Sequence, residues 1–236
     1  PLIKSIFKKR KLTTKKFSLA YTYERVMPGS NYLNSIKNYW RVMSGIDKIS
    51  IYKCKNFLKS IINTKKYPLS VLDSIRACEL GKILENSFRS TNIAFIEEWS
   101  RFAEAINVDI YKVIESIRLR PTHSNLRHPG FGVGGYCLTK DPLFGDYSAK
   151  NLWKIKNHKF SFSKLAIRVN DKMPLVTFSK IKNIFKNKLS KKKILILGMS
   201  YKENVGDLRS SPSIYFSKKC IKKNIDLSWH DPFIKN

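Results

Sequence analysis

Apolar residues recur at helical spacing over one long stretch of this 236-residue chain. Ile75, Cys78, Leu80, Leu84, Phe88, Ile93, Phe95, Ile96, Trp99, Phe102 and Ala103 wrap widely around a helix. Asp73 or Ser74 is placed to cap it, and the pattern carries it to about Ile106. At 1.5 Å per residue, a helix of ~30 residues spans about 45 Å. That length suits a spine that joins two domains and pairs with a partner subunit. A second helix is predicted from Asp109 to Arg118, stopped by Pro121. Further on, a helix from about Phe162 to Asp171 leads into Met173-Pro174 and an amphipathic helix to about Leu189.

Strand signals flank this helical middle. After Lys191-Lys192-Lys193, the run Ile194-Leu195-Ile196-Leu197-Gly198 has the uninterrupted apolar character of a buried parallel strand. Pro212 to Asn224 reads as a helix and Ile225 to Pro232 as the next strand, which makes a β-loop-α-β unit, the start of a doubly wound domain. Upstream, Phe17 to Ala20 reads as a short strand feeding Tyr21 to Arg25, and Val26 to Asn31 as a turn. Tyr39 to Ile51 is predicted as a strand region punctuated by Gly45-Ile46-Asp47, and residues 53–63 as a short amphipathic helix. The pattern is α/β.

With 42% hydrophobic residues the chain can bury a real core. It contains no run of about 18 apolar residues, so no membrane-spanning helix is expected. Its first ten residues are too briefly apolar for a signal peptide, and Pro1 in place of methionine points to a fragment. A net charge of +29 invites a nucleic-acid reading. The lysines, however, are scattered among abundant Asn and Ile, all three encoded by A/T-rich codons, and no RNP box, zinc pattern or arginine-rich arm is present. No specific nucleic-acid partner is expected, since charge of this kind speaks to solubility and non-specific contact. Cys54, Cys78, Cys137 and Cys220 show neither C-x-x-C pairing nor metal-like spacing with the histidines. No metal is expected, and the cysteines read as reduced thiols of a cytoplasmic protein.

One segment concentrates chemistry. His128-Pro129-Gly130-Phe131-Gly132-Val133-Gly134-Gly135-Tyr136-Cys137-Leu138-Thr139-Lys140-Asp141 packs four of the chain's ten glycines into six residues ahead of a cysteine. Glycine lets backbone N–H groups approach a ligand and permits φ > 0. Gly130-x-Gly132-x-x-Gly135 fits G-x-G-x-x-G, but it follows Arg-His-Pro rather than a buried strand, so it is not read as a dinucleotide fingerprint. Cys137 at the end of this loop is placed beside a ligand, its alternative being an ordinary buried cysteine. Asp141, four residues on, either holds what the thiol attacks or caps a helix before Pro142.

Other motifs stand in order around the loop. Tyr23-Glu24-Arg25-Val26-Met27-Pro28-Gly29 is similar to S-P-E-R-V-x-P-G, and Glu79 to Arg89 resembles E-L-x-K-x-x-x-N-x-F. Arg120-Pro121-Thr122-His123-Ser124-Asn125 precedes the loop; Gly198-Met199-Ser200-Tyr201-Lys202 and Gly206-Asp207-Leu208-Arg209-Ser210-Ser211-Pro212 follow it. Together, from about Tyr21 to Pro232, they resemble the UDP-glucose/GDP-mannose dehydrogenase family of nucleotide-sugar 6-dehydrogenases. The Arg120-to-Asn125 element resembles the branch acting on N-acetylated hexosamine nucleotides. Proline is replaced at two places, by Tyr23 and Thr139.

The resemblance implies NAD-dependent oxidation of the C6 alcohol of a UDP-sugar to a carboxylate, for surface polysaccharide precursor synthesis. Cys137 would form a thiohemiacetal with the intermediate aldehyde and then a thioester. Lys82 and Asn86, i and i+4 on one helix face, would stabilise the oxyanion, though such a pair is otherwise a solvated face. Lysines near the loop, Lys140 among them, would lower the pKa of Cys137 and of Lys82. Asp141 would assist by hydrogen bonding. Glu24 would be the base for thioester hydrolysis, or else pair with Arg25. Backbone groups of Gly130, Phe131, Gly132, Val133, Gly134 and Gly135 would cradle the sugar or phosphates, Tyr201 and Lys202 would contact the nucleotide sugar, and Arg209 would reach the NAD pyrophosphate. Arg120 would be lent across a homodimer, with Arg127 competing for that part.

The implied architecture is a long-helix central dimerisation domain followed by an incomplete doubly wound Rossmann-like domain. Residues 1–72 would be the end of an NAD-binding domain, 73–172 the central helical domain with the Cys loop, and 173–236 the first half of a nucleotide-sugar-binding domain. No strand–glycine loop–helix for NAD⁺ is present in the sequence, so a truncated chain is expected. Its alternative function is that of a non-catalytic remnant retaining the dimerisation core.

Overall fold

The computed structural model describes residues 2–12, 17–189 and 192–235. Of the residues invoked above, Pro1 and Lys191 lie outside these. The chain forms two compact units, Pro1–Leu84 and Glu85–Asn236.

The first unit opens with helix α1 (Leu2–Lys9), absent from the sequence reading. Strand β1 (Ala20–Tyr23) follows, and after the turn comes a short helix, α2 (Tyr32–Lys37). Strand β2 (Val42–Gly45) pairs antiparallel with β1 and parallel with β3 (Ser70–Val71). Three expectations change here. The first strand lies at Ala20–Tyr23 rather than Phe17–Ala20, because its ladder runs Ala20↔Gly45 to Tyr23↔Val42. The strand expected to reach Ile51 ends at Gly45, because Asp47 caps helix α3 (Lys48–Ile61) by accepting the Ser50 N–H at 2.7 Å. That helix therefore starts five residues earlier than its apolar pattern suggested. The core here is Met43, Leu58 and Ile62, with Tyr23, Val42 and Cys78 forming a second cluster.

Helix α4 (Ile75–Ala105) is the predicted spine, and α5 (Ile110–Arg118) is capped by Asp109, which accepts the Tyr111 N–H at 3.0 Å. After the Cys loop come a tight turn at Asp141–Leu143, helix α6 (Phe144–Tyr147) and a wide helical turn at Ser148–Leu152. Helix α7 (Ser161–Ile184) then runs unbroken through Pro174, where two helices were expected, and ends short of Leu189. Proline removes the N–H that would bond the Asn170 carbonyl, a cost of about 3 kcal/mol in a helix interior. Burial on either side offsets it: Met173 is 2% exposed, and the Asn170 amide donates to the Ser90 carbonyl and hydroxyl on α4 at 3.1 and 3.0 Å.

The carboxyl end is the predicted unit: strand β4 (Lys193–Leu197), helix α8 (Pro212–Ile221) and strand β5 (Asp226–His230), the strands parallel in full register. Ser211 caps α8 through the Ser213 N–H, and Asn224, expected in the helix, takes a left-handed φ of 54° beyond it. Phe178, Ile196, Met199, Phe216, Cys220 and Ile225 pack together. Burial of β4 is one-sided, contrary to its reading as a fully buried strand: Ile196 is buried but Leu195 and Leu197 are 60% and 75% exposed. The fold is α/β, a long helix followed by a parallel β-α-β unit. No helix among the described residues is long and apolar enough to cross a membrane.

Candidate active site

The candidate residues divide between the units. In the first, β1 delivers Glu24 to an exposed turn. Its carboxylate accepts the Val26 N–H, and the Lys82 ammonium donates to the Glu24 carbonyl at 2.9 Å. Arg25 donates to the Trp40 carbonyl at 3.1 Å and the Tyr23 hydroxyl at 3.3 Å. Tyr23, the residue that replaces proline, anchors the turn: it is buried, and both the Arg25 guanidinium and the Lys82 ammonium lie over its ring, 5.2 and 5.6 Å from the centroid. The sequence reading missed Arg41. This buried arginine donates to the Tyr23 carbonyl at 3.2 Å, with burial pulling its pKa down and Glu24 holding it up. An arginine opening an apolar strand run in a lysine-rich chain was the available signal.

In the second unit, Cys137 is exposed. Its carbonyl accepts the N–H groups of Lys140 and Asp141 at 3.2 and 2.9 Å, which closes a turn and swings the Asp141 carboxylate inward. There Asp141, 8% exposed, accepts from the Asn86 amide at 2.7 Å and the Lys140 ammonium at 2.6 Å. Asn86 is 3% exposed, so for it the solvated-face alternative fails. Asp141 does not cap a helix; its oxygens hold Asn86 and Lys140. The Lys140 ammonium bonds Asp141 and lies 4.3 and 4.6 Å from the ring centroids of Tyr136 and Phe144.

Three of the loop's four glycines are packed rather than open. A Cβ on Gly134 would stand 2.4 Å from the Tyr201 Cβ, and one on Gly132 2.7 Å from the Pro212 ring. Gly135 takes φ +79° against the Tyr201 ring, and its N–H donates to the Arg209 carbonyl at 2.8 Å. Gly130 has nothing within 4 Å. The loop is thus a seam onto the Tyr201–Pro212 segment. Phe131 and Lys202 come together in a cavity of about 570 Å³ that runs along β4 and reaches Gly198, Ser200 and Asp231 at its carboxyl end, where ligands bind in parallel sheets. Val133 faces a separate cavity of about 460 Å³ with Pro174, Tyr215 and Lys218. Burial pushes the Tyr201 phenol up, with Asp207 and Cys137 adding to the rise and Arg209 opposing it. The Arg209 guanidinium closes on the Asp207 carboxylate, Nε at 3.1 and 3.0 Å and Nη2 at 2.6 Å. Arg120 precedes a short helical turn at Pro121–His123, and Arg127 is held through its N–H by Asn92 Oδ1 at 3.0 Å; both are exposed.

These exposures order the thiols. Burial pushes the Cys54, Cys78 and Cys220 thiols up, with Glu79 adding at Cys78, and reactivity follows thiolate character and access. Iodoacetamide on the folded chain is expected to label Cys137 first, with Cys78 and Cys220 resisting until unfolding. Peptide mapping checks this, and equal labelling of all four thiols would refute it.

The UDP-glucose/GDP-mannose dehydrogenase family matches this chain twice, its central domain over residues 76–172 and its UDP binding domain over residues 195–236. Among curated relatives, the UDP-N-acetyl-D-mannosamine dehydrogenase of Methanocaldococcus jannaschii is 33% identical over 222 residues, which is 94% of this chain and 48% of the relative. That of Methanococcus vannielii is 36% identical over 219 residues, 92% of this chain and 48% of the relative. The native UDP-N-acetyl-mannosamine dehydrogenase structure from Staphylococcus aureus superposes with a TM-score of 0.80 at 26% identity, over 99% of this chain and 52% of that one. An NDP-N-acetyl-D-galactosaminuronic acid dehydrogenase from Methanosarcina mazei gives 0.81 at 27% identity, over 95% and 48%. The chain spans about half the length of the curated relatives it matches. With both family domains matched in order and the Cys137–Asp141–Asn86 arrangement built where the motifs lie, the chain belongs to the UDP-glucose/GDP-mannose dehydrogenase family.

Proposed function

We propose that the chain acts in the oxidation of the C6 alcohol of a UDP-sugar, an N-acetylhexosamine derivative such as UDP-N-acetylmannosamine, to a carboxylate for surface polysaccharide synthesis in the cytoplasm. The observation that carries this reading is the turn at Cys137, an exposed cysteine whose carbonyl accepts the N–H of Asp141, itself bonded to buried Asn86. In this chemistry NAD⁺ supplies the hydride acceptor. The residues present do not by themselves make a dinucleotide site: Arg209, the one residue assigned to the cofactor, has its guanidinium closed on Asp207.

The steps assigned to this chain are therefore the carbon–sulfur ones. The Cys137 thiolate adds to the C6 aldehyde carbon, forming a C–S bond and an oxyanion. Lys82 and Asn86 are assigned to that oxyanion, with Asp141 orienting the Asn86 amide. Once the adduct is at the thioester level, water activated by Glu24 adds to the carbonyl carbon, the C–S bond breaks, and carboxylate and thiolate part. Phe131, Lys202, Tyr201 and the backbone of Gly130 to Gly135 are assigned to the UDP-sugar, and Arg120 or Arg127 to a neighbouring site. A homodimer through α4 is supported by the exposed row Phe88, Phe95, Trp99, Phe102 and Ile106, larger than scattered surface apolar residues explain. The working division remains 1–72, 73–172 and 173–236.

A second reading is a non-turnover protein that keeps sugar-nucleotide affinity and the dimer core; the Arg209–Asp207 pairing favours it. The test is protection of Cys137 from iodoacetamide by UDP-N-acetylmannosamine and UDP-glucose, followed by assay with NAD⁺ at the NADH absorbance band. Protection with NADH formation supports the dehydrogenase reading, and protection without it supports the second. Cys137 labelled at an unchanged rate under saturating UDP-sugar would overturn both.

A further inference from the structure

Five consecutive residues ahead of the glycine loop are each held by helices of the same unit. Asn92 on α4 donates to the Asn125 carbonyl at 3.1 Å and accepts the Arg127 N–H at 3.0 Å, a two-sided grip by one amide. On α5, Tyr111, Glu115 and Arg118 stand at i, i+4 and i+7, one face of the helix. Arg118 donates from Nε and Nη2 to the Leu126 carbonyl at 2.8 and 2.5 Å. Its Nη1 donates to Glu115 Oε1 at 2.8 Å, and His128 Nε2 meets the same oxygen at 2.6 Å. Tyr111 packs its ring on His128, centroids 5.4 Å apart, and reaches the Pro129 carbonyl at 3.4 Å.

The Glu115 carboxylate joins these contacts. Arg118 Nη1 and His128 Nε2 are 3.0 Å apart. Arginine only donates, and a carboxylate only accepts, so the shared Glu115 oxygen fixes the His128 tautomer with its proton on Nε2. In that tautomer both donors serve one oxygen, and the bond survives whether or not Nδ1 is also protonated. The His128 and Arg118 partners hold the Glu115 carboxyl below its ordinary range. Downstream, the loop is fixed by the Cys137 turn and the Tyr201 seam.

We propose that Tyr111, Glu115 and Arg118, acting with Asn92 on residues 125–129, are positioning residues that set the entry angle of the glycine loop and so the placement of the Cys137 thiol. None of them carries an assigned part in the motifs. The inference rests on the reading of Cys137 as the nucleophile, and it adds that the thiol's geometry depends on a helix that contributes nothing to the chemistry.

The test compares Glu115→Ala, Glu115→Gln and Arg118→Lys in the full chain by amide hydrogen exchange and by the alkylation rate of Cys137. Glu115→Ala removes the shared acceptor. It is expected to speed exchange at the Arg127 and Gly135 amides, which are bonded to Asn92 Oδ1 and the Arg209 carbonyl, about tenfold, the scale of one lost charge-assisted bond, and to change the Cys137 alkylation rate, while exchange in α7 stays as in the wild type. Glu115→Gln keeps an acceptor oxygen and should restore most of the wild-type behaviour. Arg118→Lys, with no planar fork for the Leu126 carbonyl, should not. Loop exchange and alkylation within twofold of wild type in Glu115→Ala would overturn the proposal, as would an equal rise of exchange across α7. Neither readout needs a sugar nucleotide, so a failure here is separable from a failure of UDP-sugar to protect Cys137.

Discussion

Gly134→Ala is expected to destabilise the second unit by about 3 kcal/mol, the upper range for forcing extra atoms into a packed interior. The added Cβ would stand 2.4 Å from the Tyr201 Cβ and 2.9 Å from the Ser210 carbonyl oxygen. Neither neighbour is the free end of a flexible side chain, so the backbone of the loop or of the Tyr201–Pro212 segment must move. Domains are stable by only about 5–15 kcal/mol in total, so the loss shows directly as a lower urea midpoint. Gly130→Ala is the control, because a Cβ there meets nothing within 4 Å; it is expected to stay within about 0.5 kcal/mol of wild type. Equal midpoints for the two variants would show that the glycines are not needed for the seam.

Asp231→Ala is expected to cost about 4 kcal/mol, because it orphans one buried and two part-buried backbone donors. One carboxylate oxygen accepts the Met199 and Ser200 N–H groups at 2.8 Å each and the Ser200 hydroxyl at 2.9 Å, and the other accepts the Phe233 N–H at 2.9 Å. Each buried N–H left unpaired costs about 1–3 kcal/mol. Burial alone would raise the pKa of this carboxyl; the donors from Ser200, Phe233 and Met199 overcome that and bring it down to about 2. A folded-state pKa below the unfolded one stabilises above the ordinary carboxylate value and is lost as pH falls through the folded value. The window therefore runs from just above pH 3.8 down to about pH 2. Within it the wild type should lose about 2 kcal/mol that Asp231→Asn never had. Urea titrations across that range check the sign, and parallel curves for the two proteins would refute it.

Periodicity located α4, α5 and the β-α-β unit because each carries apolar residues at a regular spacing, which is a local property of the chain. It failed where a neighbour outweighs local preference. Pro174 reads as a break, yet α7 passes through it, since Met173 and the Asn170–Ser90 bonds fix the flanking turns. Asp47 ended an expected strand early and started α3 five residues sooner through a single capping bond, which apolar spacing does not register. The apolar run of β4 announced a strand but not that Leu195 and Leu197 would stay exposed, because periodicity cannot report what covers a face.

The same division holds at the site. The order of motifs selected Glu24, Lys82, Asn86, Cys137 and Asp141, because the identity and spacing of chemical groups are written in the chain. The sequence by itself thus determined the family, the candidate thiol and the glycines that pack in the loop. Only the tertiary structure decided what those groups touch. It gave Asp141 to Asn86 and Lys140, closed Arg209 on Asp207, and set Gly132, Gly134 and Gly135 against Tyr201 and Pro212. It also brought Arg41 beneath Tyr23 and set Glu115 against His128. The Lys140–Asp141 and Arg209–Asp207 pairs are close in sequence; the other pairings join residues far apart along the chain or on separate elements. Hydrogen bonds and close packing depend on distances of a few tenths of an ångström, and such distances are settled only when the elements meet.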